Sequence, residues 1–288
     1  MKKKRLIICL ILFVNTFCGQ AVCAEPQVKT NHHYLLSNFE GQGLFVTLNS
    51  VIGLLDLYEK SQSTMSVSVD FGNEGLYFSK EKGPNWWSYY FEPIALGNIR
   101  KAKIKRISQD EMSGFCWKGG RVISRSRARK LMNKYIKIKP EIHQIVNEFV
   151  HSYFDSYFVV GIHYRGTDKF IEAAPYVSYE KVASQLDSIL KECNQPTKIF
   201  VATDEQRFLD FMKIRYESKL IYQNIYRSVG NEPLHFTHHD KYKNGLDAVV
   251  DCLLLSRCHV LLKTASNLSA FSQMFNPSLY VVNLSLEY

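Results

Sequence analysis

The chain has 288 residues, 46% hydrophobic and 22% charged, which leaves ample length for a buried core and excludes wholesale disorder. Its formal charge is +9, but four of the positive charges lie within residues 1–24, which hold no acids, so the remainder carries +5. That moderate excess favours anionic ligands and is not a nucleic-acid signature.

The first segment opens with Lys2, Lys3, Lys4 and Arg5, runs through an apolar stretch at 6–14, and ends with small residues Val22 and Ala24 at the positions an export peptidase requires. This is a signal-peptide pattern over residues 1–24 and predicts an exported or secretory-pathway protein. The apolar stretch is short for a membrane span, and an uncleaved anchor reaching Ala24 is the alternative. No other segment is long and apolar enough to cross a bilayer. Cys9, Cys18 and Cys23 belong to this segment, leaving Cys116, Cys193, Cys252 and Cys258 with neither a CxxC pair nor zinc-site spacing. Export would permit disulfides, so paired cysteines and simple buried thiols both stay open.

A polar lead-in at 25–38 precedes Gly41-Gln42-Gly43 and then a helical pattern with Phe45, Leu48, Ile52, Leu55 and Tyr58 on one side. A strand follows at 65–71. Glycine loop, helix and strand open an α/β unit, and the two glycines either let a ligand approach the backbone or simply make a tight turn. Trp86, Trp87, Tyr89, Tyr90 and Phe91 crowd the next stretch. They predict a core or interdomain wedge, with a sugar-stacking platform as the alternative. Arg100, Lys101, Lys103, Lys105 and Arg106, then Arg121, Arg125, Arg127, Arg129 and Lys130, form a basic tract. Solvated helix faces account for it; an anionic acceptor or an anionic lipid surface is the sharper alternative. A helical pattern at 126–151 breaks at Pro140, which sets a boundary between domains at 25–139 and 140–288.

From residue 157 onward strands and helices alternate: strands at 157–163, 198–202, 220–222, 260–262 and 279–282, with helices at 178–193, after Glu205 to about 216, at 246–257 and from 266. That alternation predicts a parallel sheet with helices on both faces. Its first strand is a continuous apolar run ending in His163, Arg165, Thr167, Asp168, Lys169 and Glu172. Ligands in such sheets bind beyond the carboxyl ends of strands, and a fork-shaped guanidinium there suits a diphosphate. Two further strand ends carry Thr203-Asp204-Glu205 and Thr264-Ala265-Ser266-Asn267. The last opens a helix, where backbone N–H groups favour phosphate, although Thr264 and Ser266 are equally plain N-cap residues. Asp251, inside the preceding helix, is a carboxylate among apolar neighbours; it is either a plain surface charge or, near these strand ends, an acceptor for the N1 and N2 edge of guanine.

These residues carry a resemblance. His163-Tyr-Arg-Gly-Thr-Asp-Lys169 with Glu172-Ala-Ala174 resembles the donor-site motif of the α1,6-fucosyltransferases, a family that includes the N-glycan core enzymes and the rhizobial nodulation enzymes, and more loosely that of protein O-fucosyltransferases. Phe200-Val-Ala-Thr-Asp-Glu205 is similar to their second motif. Asp251 to Ser256, continuing through Lys263-Thr-Ala-Ser266, is similar to their third, in the same order. The resemblance extends from about residue 134 to 277. It implies an α/β fold of the GT-B type, two Rossmann-like domains facing across a cleft, and an inverting, metal-independent transfer from GDP-fucose with no cofactor. Residues 25–139 would then form the acceptor side and 140–288 the donor side.

By the same resemblance Arg165 holds the β-phosphate with help from Thr264 and Ser266, His163 and Asp251 address the guanosine, and Asp204 orders the cleft or binds the nucleotide. Glu172 is the general base, supported by Lys169. Two positions depart from the family pattern: Gly166 stands where the resembling enzymes carry a second arginine, and the gap from Lys169 to Glu172 is one residue shorter, which leaves the base between Glu172 and Asp168. The implied acceptor is a glycan, a lipid-linked sugar or a protein. Two rivals remain: a transferase using another nucleotide sugar, and a catalytically inactive protein that binds a nucleotide or glycan.

Overall fold

The computed structural model describes residues 32–37, 41–61, 65–73, 75–98, 103–107, 123–167, 176–230, 232, 234 and 239–285. The export segment, Arg100, Lys101, Cys116 and Arg121 lie outside the described residues, as do Asp168, Lys169 and Glu172. Asn31–Tyr288 forms one compact unit containing two sheets.

The first sheet has the order β3-β2-β1-β4, with β1 at His32–Leu36, β2 at Met65–Val69, β3 at Ala95–Leu96 and β4 at Lys103–Ile107. β1 pairs in parallel with β2 and β4, while β3 runs antiparallel to β2. Strand β1 falls within the expected polar lead-in, and the correction has a chemical reason. His33 is buried because its two ring nitrogens meet the hydroxyls of Ser66 and Ser68 at 2.9 Å each, so a polar residue fits an interior position. Burial also lowers its pKa, keeping the ring neutral. The basic tract is corrected in part. Lys103, Lys105 and Arg106 lie on edge strand β4, where exposed cations discourage pairing with another chain.

The remaining arginines from Arg125 to Arg129 do lie on a helix, α2 at Arg125–Tyr135, which packs on α1 at Leu44–Lys60. Arg127 spans the junction, reaching Asp56 at 2.9 Å and Glu59 at 2.7 Å, and Lys134 reaches Glu59 at 2.8 Å. Asp56 is buried, so the pairing with Arg127 and Lys60 satisfies a charge that burial alone would penalise.

The second sheet has the order β7-β6-β5-β8-β9 and is parallel throughout. Its strands are β5 at Phe158–Tyr164, β6 at Thr197–Thr203, β7 at Leu220–Ile221, β8 at Val260–Lys263 and β9 at Tyr280–Asn283. The continuous apolar run of β5 fits its central place, because both of its faces are covered. Helices α4 (Tyr179–Glu192) and α5 (Gln206–Tyr216) bring Val182, Leu186, Phe208 and Met212 to one core. A larger core continues through both sheets' neighbours and includes α3 (Pro140–Tyr153), α6 (Lys241–Ser256) and α7 (Asn267–Phe275). The proline expected to interrupt the helical pattern is the first residue of α3, where its missing N–H costs nothing.

Helix α6 starts five residues before the expected 246. Asp240 caps it, accepting from the Lys243 N–H at 2.8 Å. Gly245 hides this first turn from a periodicity count, and its role is close approach rather than a helix end. A Cβ there would lie 2.2 Å from the Tyr90 hydroxyl, which donates to the Tyr242 carbonyl at 2.8 Å. Tyr90 also stacks on Tyr242 with ring centroids 5.8 Å apart. Gly245→Ala is therefore expected to destabilise the fold despite the better helix propensity of alanine. Overpacking costs about 1–3 kcal/mol against roughly 1 kcal/mol gained from propensity. Urea unfolding would show a lower midpoint; an unchanged or higher one would mean that Tyr90 can move aside.

Trp86, Trp87, Tyr89, Tyr90 and Phe91 are all buried, with Trp86 stacked on Phe71 at 4.7 Å and Trp87 on Phe91 at 4.4 Å. They are core, and the sugar-stacking alternative falls because no ring face is open to a ligand. Cys193, Cys252 and Cys258 are free thiols, the last two buried. Among the described residues no helix is long and apolar enough to cross a membrane.

Candidate functional site

In the second sheet the chain order turns in opposite directions on either side of β5: β6 follows on one side and β8 lies on the other. Such a reversal of strand order is where a crevice opens at the carboxyl edge of a parallel sheet. Two hydrogen bonds lock the strand ends: the Thr264 N–H donates to the His163 carbonyl at 3.0 Å, and the Arg165 N–H donates to Thr264 Oγ1 at 2.9 Å. Thr264 thus sets the backbone that presents Arg165.

Asp204, just beyond β6, braces the same turn. Its Oδ1 accepts from the Gly166 N–H at 3.0 Å, and its Oδ2 from the Thr167 hydroxyl at 2.8 Å and from Arg165 Nη1 at 2.9 Å. These bonds order the strand end, and Asp204 also borders the cavity beyond it.

A cavity of about 460 Å³ lies over this edge. His163, Arg165, Asp204, Asp251 and Ser266 all line it, so five predicted site residues meet there, with Thr264 behind them. The opposite wall is the Gly41–Gly43 loop and the first turn of α1. Helices α1 and α7 pack together, with Phe45 and Phe271 rings 5.4 Å apart, and the first turns of both border the cavity. Ser266 caps α7 through the Leu268 N–H at 3.3 Å, whereas Gly43 leads α1 without a side-chain cap. Two positive helix ends and Arg165 make this part of the cavity attractive to an anion.

Acids line the same cavity. Burial pushes the Asp251 pKa up to about 7, against the opposing effects of the Gln223 amide and the Arg227 charge. His163 is held neutral: burial first, then Lys263 and Arg165, push its pKa down to about 3. Its buried Nδ1 has no hydrogen-bond partner among the described residues, an unmet capacity next to the cavity. The cavity therefore offers cationic and N–H donors together with carboxylate acceptors.

The family model for nodulation protein Z matches residues 116–287, more than half of the chain. The chain belongs to the NodZ family. Nodulation protein Z of Bradyrhizobium diazoefficiens is 22% identical over 168 residues, which make up 55% of this chain and 45% of that protein. The matched stretch thus spans less than half of that relative's length. The solved structure of NodZ α1,6-fucosyltransferase soaked with GDP-fucose is similar at a TM-score of 0.59 and 13% identity, over 86% of this chain and 93% of that one. That of fucosyltransferase NodZ from Bradyrhizobium is similar at 0.57 and 14%, over 86% and 94%. Together with the two largely parallel sheets, these likenesses establish the expected α/β architecture of the GT-B type.

Several residues of this NodZ-family cavity escaped the sequence reading. Tyr77 lines it, accepting from the Leu44 N–H at 2.8 Å, and burial pushes its phenol up to about 12. Gln223 donates to Asp251 Oδ1. Buried Arg227 ties the 223–227 loop by donating to the carbonyls of Gln223 at 2.8 Å and Ile225 at 3.1 Å, which holds Ile225 and Tyr226 at the cavity wall. Asp247, paired with Lys243, also lines it. Only Asp247 had a local signal, since it stands one helical turn before Asp251 and so shares its face. The other residues come from a loop and a turn whose placement is set by distant packing. Among the described residues no group of three or more His, Cys, Asp or Glu is arranged to hold a metal ion.

Proposed function

We propose that the chain is an inverting, metal-independent glycosyltransferase that moves fucose from GDP-fucose to a hydroxyl of a glycan, a lipid-linked sugar or a protein. The observation that carries this reading is the mixed chemistry of the cavity, which brings Arg165 and two helix N-termini together with the carboxylate of Asp251. A guanosine diphosphate has groups that match both: an anionic diphosphate, and a base edge with two adjacent N–H donors. Similarity to NodZ soaked with GDP-fucose supports the same donor.

In this reading Arg165 holds the β-phosphate with Ser266 and the first turn of α7, and Thr264 keeps Arg165 in place. Asp251 accepts from guanine while His163 faces the nucleoside. When the bond between the anomeric carbon and the β-phosphate oxygen breaks, its electron pair passes to the leaving GDP, and the cationic end of the cavity stabilises that charge without a metal. The acceptor oxygen attacks from the opposite face, inverting the centre, and gives its proton to Glu172, the general base that Lys169 supports. Residues 25–139 supply the acceptor side, residues 140–288 the donor side, and residues 1–24 direct export.

Calorimetric titration with GDP, UDP and CMP, paired with turnover of GDP-fucose in EDTA, tests this. Binding of GDP alone, with turnover that survives chelation, is expected. Preference for another nucleotide would move the donor assignment; GDP binding without turnover under any acceptor would leave a binding protein. The pH dependence adds a sharper criterion. Asp251 can accept from both N–H groups of guanine only when ionised, and with its pKa pushed up to about 7 protons compete below neutrality. GDP affinity should weaken as pH falls through 7, by up to about tenfold per pH unit before other groups intervene. Asp251→Asn should bind weakly and lose that dependence.

A further inference from the structure

The turn that carries Arg165 has a second brace that the reaction scheme does not use. Glu205 follows Asp204 at the end of β6, and its Oε1 accepts from the Tyr179 hydroxyl at 2.6 Å. Tyr179 is the first residue of α4 and packs edge-on against Tyr164 and Phe208, whose own rings stack at 4.1 Å. The Tyr164 hydroxyl in turn donates to the Val177 carbonyl at 2.8 Å. The far end of the Glu205 carboxylate lies against Gly166. A Cβ at that glycine would come 1.9 Å from Glu205 Oε2, 2.9 Å from its carboxyl carbon and 2.9 Å from the Tyr164 ring. The carboxylate thus occupies the space in which a side chain at 166 would begin, and Tyr179 and the aromatic stack fix it there.

We propose that Glu205 is a positioning residue: held by Tyr179 and packed on the bare Cα of Gly166, it fixes the turn that aims Arg165 into the cavity. Asp204 fastens this turn from one side through the Gly166 N–H and the Thr167 hydroxyl; Glu205 closes the other side by contact. Gly166 is then needed for absence of volume rather than for an unusual backbone angle. The proposal rests on the reading of Arg165 as the partner of the β-phosphate, so its effect must appear on a diphosphate and not on a monophosphate.

Calorimetric titration of GDP and of GMP into the unsubstituted protein and its variants tests it, with thermal unfolding to check that each variant folds. Gly166→Ala should displace the carboxylate and weaken GDP binding about tenfold, as loss of one supporting contact would, while GMP changes by no more than about twofold. Glu205→Ala should do the same. Glu205→Gln can still accept the Tyr179 hydrogen and should recover most of the loss. Tyr179→Phe, which removes only a hydroxyl, should reproduce it. In the double variant Gly166→Ala with Glu205→Ala, the second change should add little, because the methyl group enters vacated space. Additive losses, equal losses for GDP and GMP, or no recovery with Glu205→Gln would each overturn the proposal. If the unsubstituted protein binds no GDP, the nucleotide reading itself falls, and the proposal with it.

Discussion

Arg165→Ala is expected to abolish transfer and weaken GDP binding by about 3 kcal/mol, roughly a hundredfold, because a partly buried diphosphate would lose its charged partner. The fold should survive. Asp204 would lose one donor but keep the Gly166 N–H and the Thr167 hydroxyl, so its carboxylate is not stranded. Thr264 would still hold residue 165 through its backbone N–H. Arg165→Lys should recover little, since an ammonium cannot pair with Asp204 and grip a phosphate in the planar, forked geometry of a guanidinium. Calorimetry and a radiolabelled transfer assay check both variants. Normal GDP affinity in the alanine variant, with unaltered thermal unfolding, would remove Arg165 from the phosphate site.

Glu172→Gln is expected to lower turnover by roughly 10² to 10⁴ while GDP affinity stays close to normal, because an amide keeps the shape but cannot take the acceptor proton. Asp168→Asn is the companion measurement. As a neighbour of Thr167 and Lys169 it should disturb donor binding first. The shorter gap after Lys169 allows the two carboxylates to exchange roles, and the pair of variants separates them. Full turnover in Glu172→Gln, beside lost turnover with intact GDP affinity in Asp168→Asn, would move the base to residue 168.

The parts of the fold that were legible in the sequence are those whose reasons are local. The unbroken apolar run at β5 announces a strand covered on both faces, and the polar cluster behind it marks the carboxyl edge where the cavity opens. Pro140 announces the start of α3 for an equally local reason. Strand β1 was hidden because the burial of His33 depends on hydroxyls that arrive from β2, more than thirty positions away. Strand β4 was mistaken for helix because an edge strand keeps its charges in water and shows no apolar alternation. The first turn of α6 was lost to Gly245, whose reason is Tyr90, 155 positions earlier. Gly166 is the same kind of case: it stood out as a departure from a motif, and only the packing of Glu205 and Tyr164 around it explains the missing side chain. In the cavity, His163, Arg165 and Asp251 were legible from residue type and place. Gln223 and Arg227 were not, since nothing in a polar loop says which carbonyl or carboxylate it will meet.

The pairing of α1 with α7 bears on how the chain is made. Phe45 emerges early in synthesis and Phe271 late, so the flank of α1 that ends up against α7 stays uncovered while the intervening chain is translated. At about 5–20 residues per second that interval is on the order of tens of seconds, far longer than a helix takes to form. During it the first sheet and its helix carry an apolar stripe with no partner, the situation in which nascent chains aggregate or recruit chaperones. The contact that gives the cavity two helix ends thus joins segments made far apart in time, and a chain cut short before α7 is expected to leave that flank of α1 uncovered.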